Sequence, residues 1–285
     1  MKAVPPSFGR EHIAEMNIIS CDVGWSRGTK RNAVTVVTSE GRLCVFRRGL
    51  NDDDLVSLVT NWSGRSLILL DVPIEGCQNL EGPRRPIEND LQHYISLYPA
   101  SRAGTRGQQL KQRMLLSVPA GPRQNIVVKE IYPHAIYKFL WAVEQEGKLA
   151  EVLRHREQSL LDNWFTPSLG PPKYKGRKVK QDERLMGMWT LYNFITQRLR
   201  LSFCQSLEPP TDSFSAAMLE VLADQYDSCL GAVVGLYCIA GNPYTGIAGD
   251  ERQGEMLLFA DIWLKRQLEK YGISVKRLPV NPSSA

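Results

Sequence analysis

The 285-residue chain carries a formal charge of +5, with 43% hydrophobic and 23% charged residues. Those proportions exclude a disordered chain and leave room for one large α/β domain with a well-filled core, with or without a small appendage. The mild basic bias permits a polyanionic partner without requiring one.

The six cysteines form no C-x-x-C pair and have no histidine at zinc-finger spacing. Cys21, Cys229 and Cys238 lie in apolar runs, where a free thiol acts as a small hydrophobe. Residues 1–16 carry charges and prolines instead of the apolar stretch of a secretory signal, and read as a flexible lead-in. No apolar run approaches the roughly 20 residues of a membrane span. The expected setting is the cytoplasm, away from membranes.

Asn17 to Asp22 reads as a short buried strand, followed by a basic, polar turn around Arg27 and Lys30. Ala33–Thr38 and Arg42–Arg47 read as two further strands, separated by the turn signal Ser39-Glu-Gly41. Such short gaps predict antiparallel pairing. Asn51 caps a helix whose apolar residues Leu55, Leu58, Val59 and Trp62 recur at helical spacing. Ser66–Asp71 is a continuous apolar run, as expected of a parallel strand covered on both faces.

Residues 75–125 are rich in Gly, Pro and Arg and read as a long insertion with a helix or two. Ile126–Ile131 is a fifth strand, and Tyr132-Pro-His-Ala135 opens a helix. A basic loop spans Lys173–Lys180. Two long helical patterns follow, at about 181–205 and 213–239. Gly249-Asp-Glu251 reads as a turn, a last helix lies near 260–271, and residues 276–285 form a tail. This order predicts one domain over 17–275: a mixed five-stranded sheet, three strands antiparallel and two parallel, flanked by helices.

Asp22 ends the first strand and Asp71 the fourth. In the implied strand order those strands are neighbours, so the two carboxylates lie side by side where ligands gather in α/β sheets. Carboxylates that close repel unless a cation sits between them. Mg²⁺ and Mn²⁺ suit that place as hard ions that take oxygen ligands. Asp224 and Asp227 interrupt a late apolar helix three residues apart, hence on one face. Together the four would hold a pair of divalent ions able to activate water and stabilise a leaving oxygen in phosphodiester hydrolysis. Glu130, near the end of the fifth strand, is a candidate fourth or outer ligand. Each acid alone also reads as a loop former, a helix cap or a solvated helix face. The weight comes from the set.

Four segments together resemble a known family: Ile18–Ser26, Leu69–Ile74, Lys129–His134 and Asp224–Ala232. They are similar to the successive signatures of the bacterial domain-of-unknown-function family numbered 429, a predicted RNase H-like group related to RuvC-type resolvases. The resemblance spans about residues 17–260. It implies an RNase H-like fold and a metal-dependent nuclease, with metal-binding acids at Asp22, Asp71 and Asp227 and with Glu130 at the family's Glu-x-x-Pro position. Of the two helix acids, Asp227 matches the family position.

Asp22-Val-Gly-Trp-Ser26 also resembles the phosphate loop of actin-like sugar kinases, but no second copy of such a loop is present. A third reading is a nucleic-acid-binding or scaffold protein without catalysis, on DNA or RNA. Its basic surface would use Arg27, Lys30, Arg84, Arg85, Arg106, Lys173, Lys175 and Lys178, with Tyr174 and Trp189 stacking on bases. His134 would orient a water or phosphate, or cap its helix. Exposed helix faces would permit a homodimer.

Overall fold

The computed structural model describes residues 16–24, 30–62, 64–78, 80, 82–91, 97, 99–119, 125–144, 170–176, 178–199, 201–260, 262–270 and 272–278. All of the expected lead-in but Met16, which opens the first strand, most of the expected tail and the turn residue Arg27 lie outside them.

The first three strands, β1 (Met16–Asp22), β2 (Asn32–Thr38) and β3 (Leu43–Leu50), pair antiparallel. Helix α1 (Asp52–Thr60) follows, and the Asn51 side chain accepts the amide of Asp54 at 2.8 Å to close its first turn. This is the cap the sequence implies. Strand β4 (Arg65–Leu70) then returns beside β1, and β5 (Ile126–Glu130) beside β4, both in parallel. The sheet order β3-β2-β1-β4-β5 is the mixed five-stranded α/β arrangement expected from the order of elements.

The insertion between β4 and β5 holds two helices, α2 (Pro86–Leu91) and α3 (Arg106–Ser117). After β5 come α4 (Pro133–Glu144), α5 (Gln181–Asn193) and the 24-residue α6 (Ala216–Ile239). The expected helix over 181–205 is shorter than its apolar pattern. It widens into a π segment at Phe194–Arg198, and a 3₁₀ turn follows at Ser202–Ser206.

A second sheet was not foreseen. Strands β6 (Thr245–Asp250) and β7 (Gly254–Phe259) form a hairpin, and β8 (Val275–Lys276), after helix α7 (Ile262–Lys270), pairs with the outer edge of β6. The hairpin turn contains Glu251, as the turn signal predicts. A bridge from Ile131 to Leu257 ties this sheet to the end of β5.

Side chains alternate across a strand, so the main sheet has two cores. Ile19, Cys21, Ile68 and Leu70 join Leu55, Val59, Leu110 and Met114 on one face. Ile18, Leu67 and Leu69 join α4, α5 and α6 on the other. Helix α6 lies very close to the sheet. A Cβ on Gly235 would meet Ile18 Cγ2 at 2.4 Å, and one on Gly231 would meet Ser20 Oγ at 2.1 Å. Four helical residues advance about 6 Å and two strand residues about 6.6 Å. Gly235 over Ile18 and Gly231 over Ser20 therefore bring Asp227 level with Asp22 one step further on.

Candidate active site

Strands β1 and β4 are in register, Cys21 beside Leu70, and the Asp71 amide donates to the Cys21 carbonyl at 2.9 Å. Asp22 and Asp71 thus leave adjacent strands at the same level. Alternation puts Asp22 on the face of Ile18 and Ser20, and Asp71 on the face of Leu67 and Leu69, which is the side that α6 covers. Asp224 and Asp227 descend to the same place from α6. Asp22, Asp224 and Asp227 are each at most 5% exposed.

At the centre sits an ammonium. Lys175 Nζ lies 3.0 Å from Asp22 Oδ2, 2.8 Å from Asp224 Oδ1 and 2.5 Å from Asp227 Oδ2. An ammonium has three protons to donate, and three carboxylates receive them. Tyr174, next in the chain and buried, donates its hydroxyl to Asp227 Oδ1 at 2.6 Å. Arg31 reaches Asp224 from the outside at 3.4 Å.

The electrostatics follow from burial. Loss of water pushes the Asp22 carboxyl well above its ordinary range; Lys175 opposes this, while Asp224, Asp71 and Asp227 add to it. Burial, reinforced by Asp227, does the same to Asp71. Asp227 is raised by burial against the pull of Lys175 and Tyr174. Burial alone would discharge Lys175, but Asp22, Asp227 and Asp224 outweigh it and hold the ammonium far above its usual value.

Both helix acids meet Lys175, so the choice between Asp224 and Asp227 dissolves. Glu130 is a correction. It pairs with Leu70 across β4 and β5 and shares the face of Val128, opposite to Asp71. There Arg85 takes both of its oxygens, at 2.8 and 2.5 Å, and the Ile74 amide adds a bond at 2.9 Å. Glu130 is committed to a buried ion pair; it lines one cavity with Asp71 but gives both of its oxygens to Arg85. Arg85 also binds Glu88 at 2.8 Å and is fully buried.

The expected basic surface is corrected in the same way. Arg85 is an interior cation. Arg106 is buried, clasping Asp52 through two bonds of 2.7 Å and the Gly24 carbonyl at 2.6 Å. Those contacts pin the start of the loop after β1. Lys175 belongs to the acid cluster and Tyr174 to the core, where it cannot stack on a base. Lys30, Lys173 and Lys178 are exposed, and Arg84 is half-buried.

Lys175, which the sequence analysis assigned to a basic surface, is the cation of the acid cluster. Tyr174, an aromatic next to it inside a basic run, is the signal that the segment turns inward. His134, half-buried, lies with its ring 6.1 Å from that of Tyr174. Burial, with Lys138, Lys175 and Lys173 nearby, depresses its pKa to about 3, so it is neutral at physiological pH.

Carboxylate oxygens are the donors that Mg²⁺ and Mn²⁺ prefer, and the Lys175 ammonium shows that the cluster draws a cation. As disposed around that ammonium, no three acid, histidine or cysteine side chains among the described residues are arranged to hold a metal ion. No described helix is long and apolar enough to cross a membrane. Comparison with protein-family models, curated proteins and solved structures gives no significant match for this chain.

Proposed function

We propose that this chain is a metal-dependent phosphodiesterase of RNase H-like fold, acting on nucleic acid. The observation that carries the reading is the convergence of Asp22, Asp224 and Asp227 on one cation, with Asp71 beside them at the end of the adjacent parallel strand. A fold does not spend three buried carboxylates and a half-buried fourth on packing, because each costs free energy that apolar residues would not. The strand order and the placement of these acids support the resemblance read from the sequence.

Asp22, Asp71, Asp224 and Asp227 would hold Mg²⁺ or Mn²⁺. Bound there, the ions would supply an activated water and charge stabilisation for the leaving oxygen. Exposed Lys173 and Lys178, on the segment that carries Lys175, would meet the phosphates of a bound strand.

The bonds of Lys175 favour one alternative, a non-catalytic nucleic-acid-binding protein in which the ammonium permanently neutralises the acids. Cleavage of labelled single-stranded, duplex and hybrid oligonucleotides with Mg²⁺ or Mn²⁺ separates the two. Wild-type cleavage that falls roughly a hundredfold or more in Asp22→Asn supports the nuclease. Salt-sensitive binding without cleavage supports the alternative.

A further inference from the structure

We propose that Lys175 is a tethered counter-cation that closes the carboxylate cluster, and that a divalent ion binds only after its side chain withdraws. The inference rests on the metal-dependent reading and adds its regulation.

Three observations carry it. First, the ammonium spends all of its donors on Asp22, Asp224 and Asp227, so it holds the position where an ion would be charge-balanced. An ammonium and a dication cannot share that point. Second, the Lys175 side chain is 32% exposed while these three carboxylates are 4–8% exposed. It enters from the solvent side and covers them, so it has water to retreat into. Third, its main chain is fixed on both sides. Tyr174 is buried and bonded to Asp227, and a Cβ on Gly187 of α5 would strike the Lys173 carbonyl at 2.3 Å. Arg184 holds the Gly176 carbonyl at 3.0 Å. Withdrawal is therefore a rotation of the flexible lysine stem, with no movement of the segment.

Occupied by its own lysine, the site binds metal with an affinity reduced by the fraction of time the lysine is away. The test compares Mn²⁺ binding to wild type and Lys175→Met, by the loss of the free-ion spin resonance signal and by melting with and without Mn²⁺. We expect Lys175→Met to melt lower than wild type without metal, to recover with Mn²⁺, and to bind Mn²⁺ at least tenfold tighter. Should Lys175→Met not fold, Asp224→Asn is compared with Lys175→Met/Asp224→Asn, where one carboxylate fewer needs a partner. Equal or weaker binding by the lysine-free protein overturns the proposal and leaves the metal-dependent reading standing. No Mn²⁺ binding by either protein overturns both.

Discussion

Gly231 of α6 faces Ser20 of β1 so closely that a single added methyl would lie 2.1 Å from the serine hydroxyl oxygen. This contact sets the height of the helix over the sheet, and Asp227 sits one helical turn beyond it. Gly231→Ala must push the helix outward or displace Ser20. We expect a loss of about 1–3 kcal/mol in urea unfolding. Ser20→Ala should cost little, because its Oγ is buried without a hydrogen-bond partner. In the Ser20→Ala background the closest obstacle is gone, so Gly231→Ala should cost less than alone. Additive losses would show that the helix position is set elsewhere.

The arginine at the other end of the insertion gives a second expectation. Arg85 holds Glu130 and Glu88, all three buried. Removing one partner of such a group strands the other charges, at about 3–5 kcal/mol. Arg85→Met should therefore destabilise the fold by that order or prevent folding. Glu130→Gln should lower stability while leaving Mn²⁺ affinity within about twofold of wild type, since both Glu130 oxygens are already taken by Arg85. A larger loss of affinity would restore Glu130 to the metal site.

Much of this site could be read from the sequence because its acids end apolar runs. Ile18–Cys21 and Leu67–Leu70 are buried on both faces, so the first polar residue after each marks the sheet edge. The short gaps around Ser39-Glu-Gly41 fix the antiparallel half. Glu130 misled because its nearness to a strand end was counted and its parity was not: two residues beyond Val128, it shares that residue's face. Arg85 and Lys175 misled for a shared reason. Each sits in a basic run whose other described members stay at or near the surface, and composition cannot say which member turns inward. The small sheet escaped because Gly246, Gly249 and Gly254 punctuate it like a loop. A Cβ on Gly249 would meet the Gly254 carbonyl at 2.1 Å, so glycine is what lets the hairpin close.

His134 predicts how stability responds to acid. Its folded pKa is about 3, below the ordinary 6.5. Between those values the unfolded chain binds a proton that the folded chain refuses, so its contribution is present above pH 6.5 and is lost as pH falls toward 3. Its partial exposure tempers the effect, and on the order of 1 kcal/mol should be gone by pH 5. His134→Gln should flatten the stability profile between pH 7 and 5. An unchanged slope would assign the acid sensitivity to other groups.

Asp71 predicts the opposite slope. Its folded carboxyl is raised well above 3.8, chiefly by burial. A raised acid stabilises fully below its unfolded value, and that contribution drains away as pH climbs through the folded one. At neutral pH this acid is therefore a cost to the metal-free fold. Asp71→Asn keeps the shape and removes the titrating group. Without metal it should melt higher than wild type, by about 2 °C for a gain on the order of 1 kcal/mol, and its advantage should shrink as pH is lowered toward 4. With Mn²⁺ the order should reverse, because ligand binding stabilises the wild type by mass action and the variant has lost a donor. A residue that weakens the empty fold and strengthens the loaded one is kept for what it binds. If Asp71→Asn is less stable under both conditions, the carboxylate holds the strand end together and the metal site must be drawn without it.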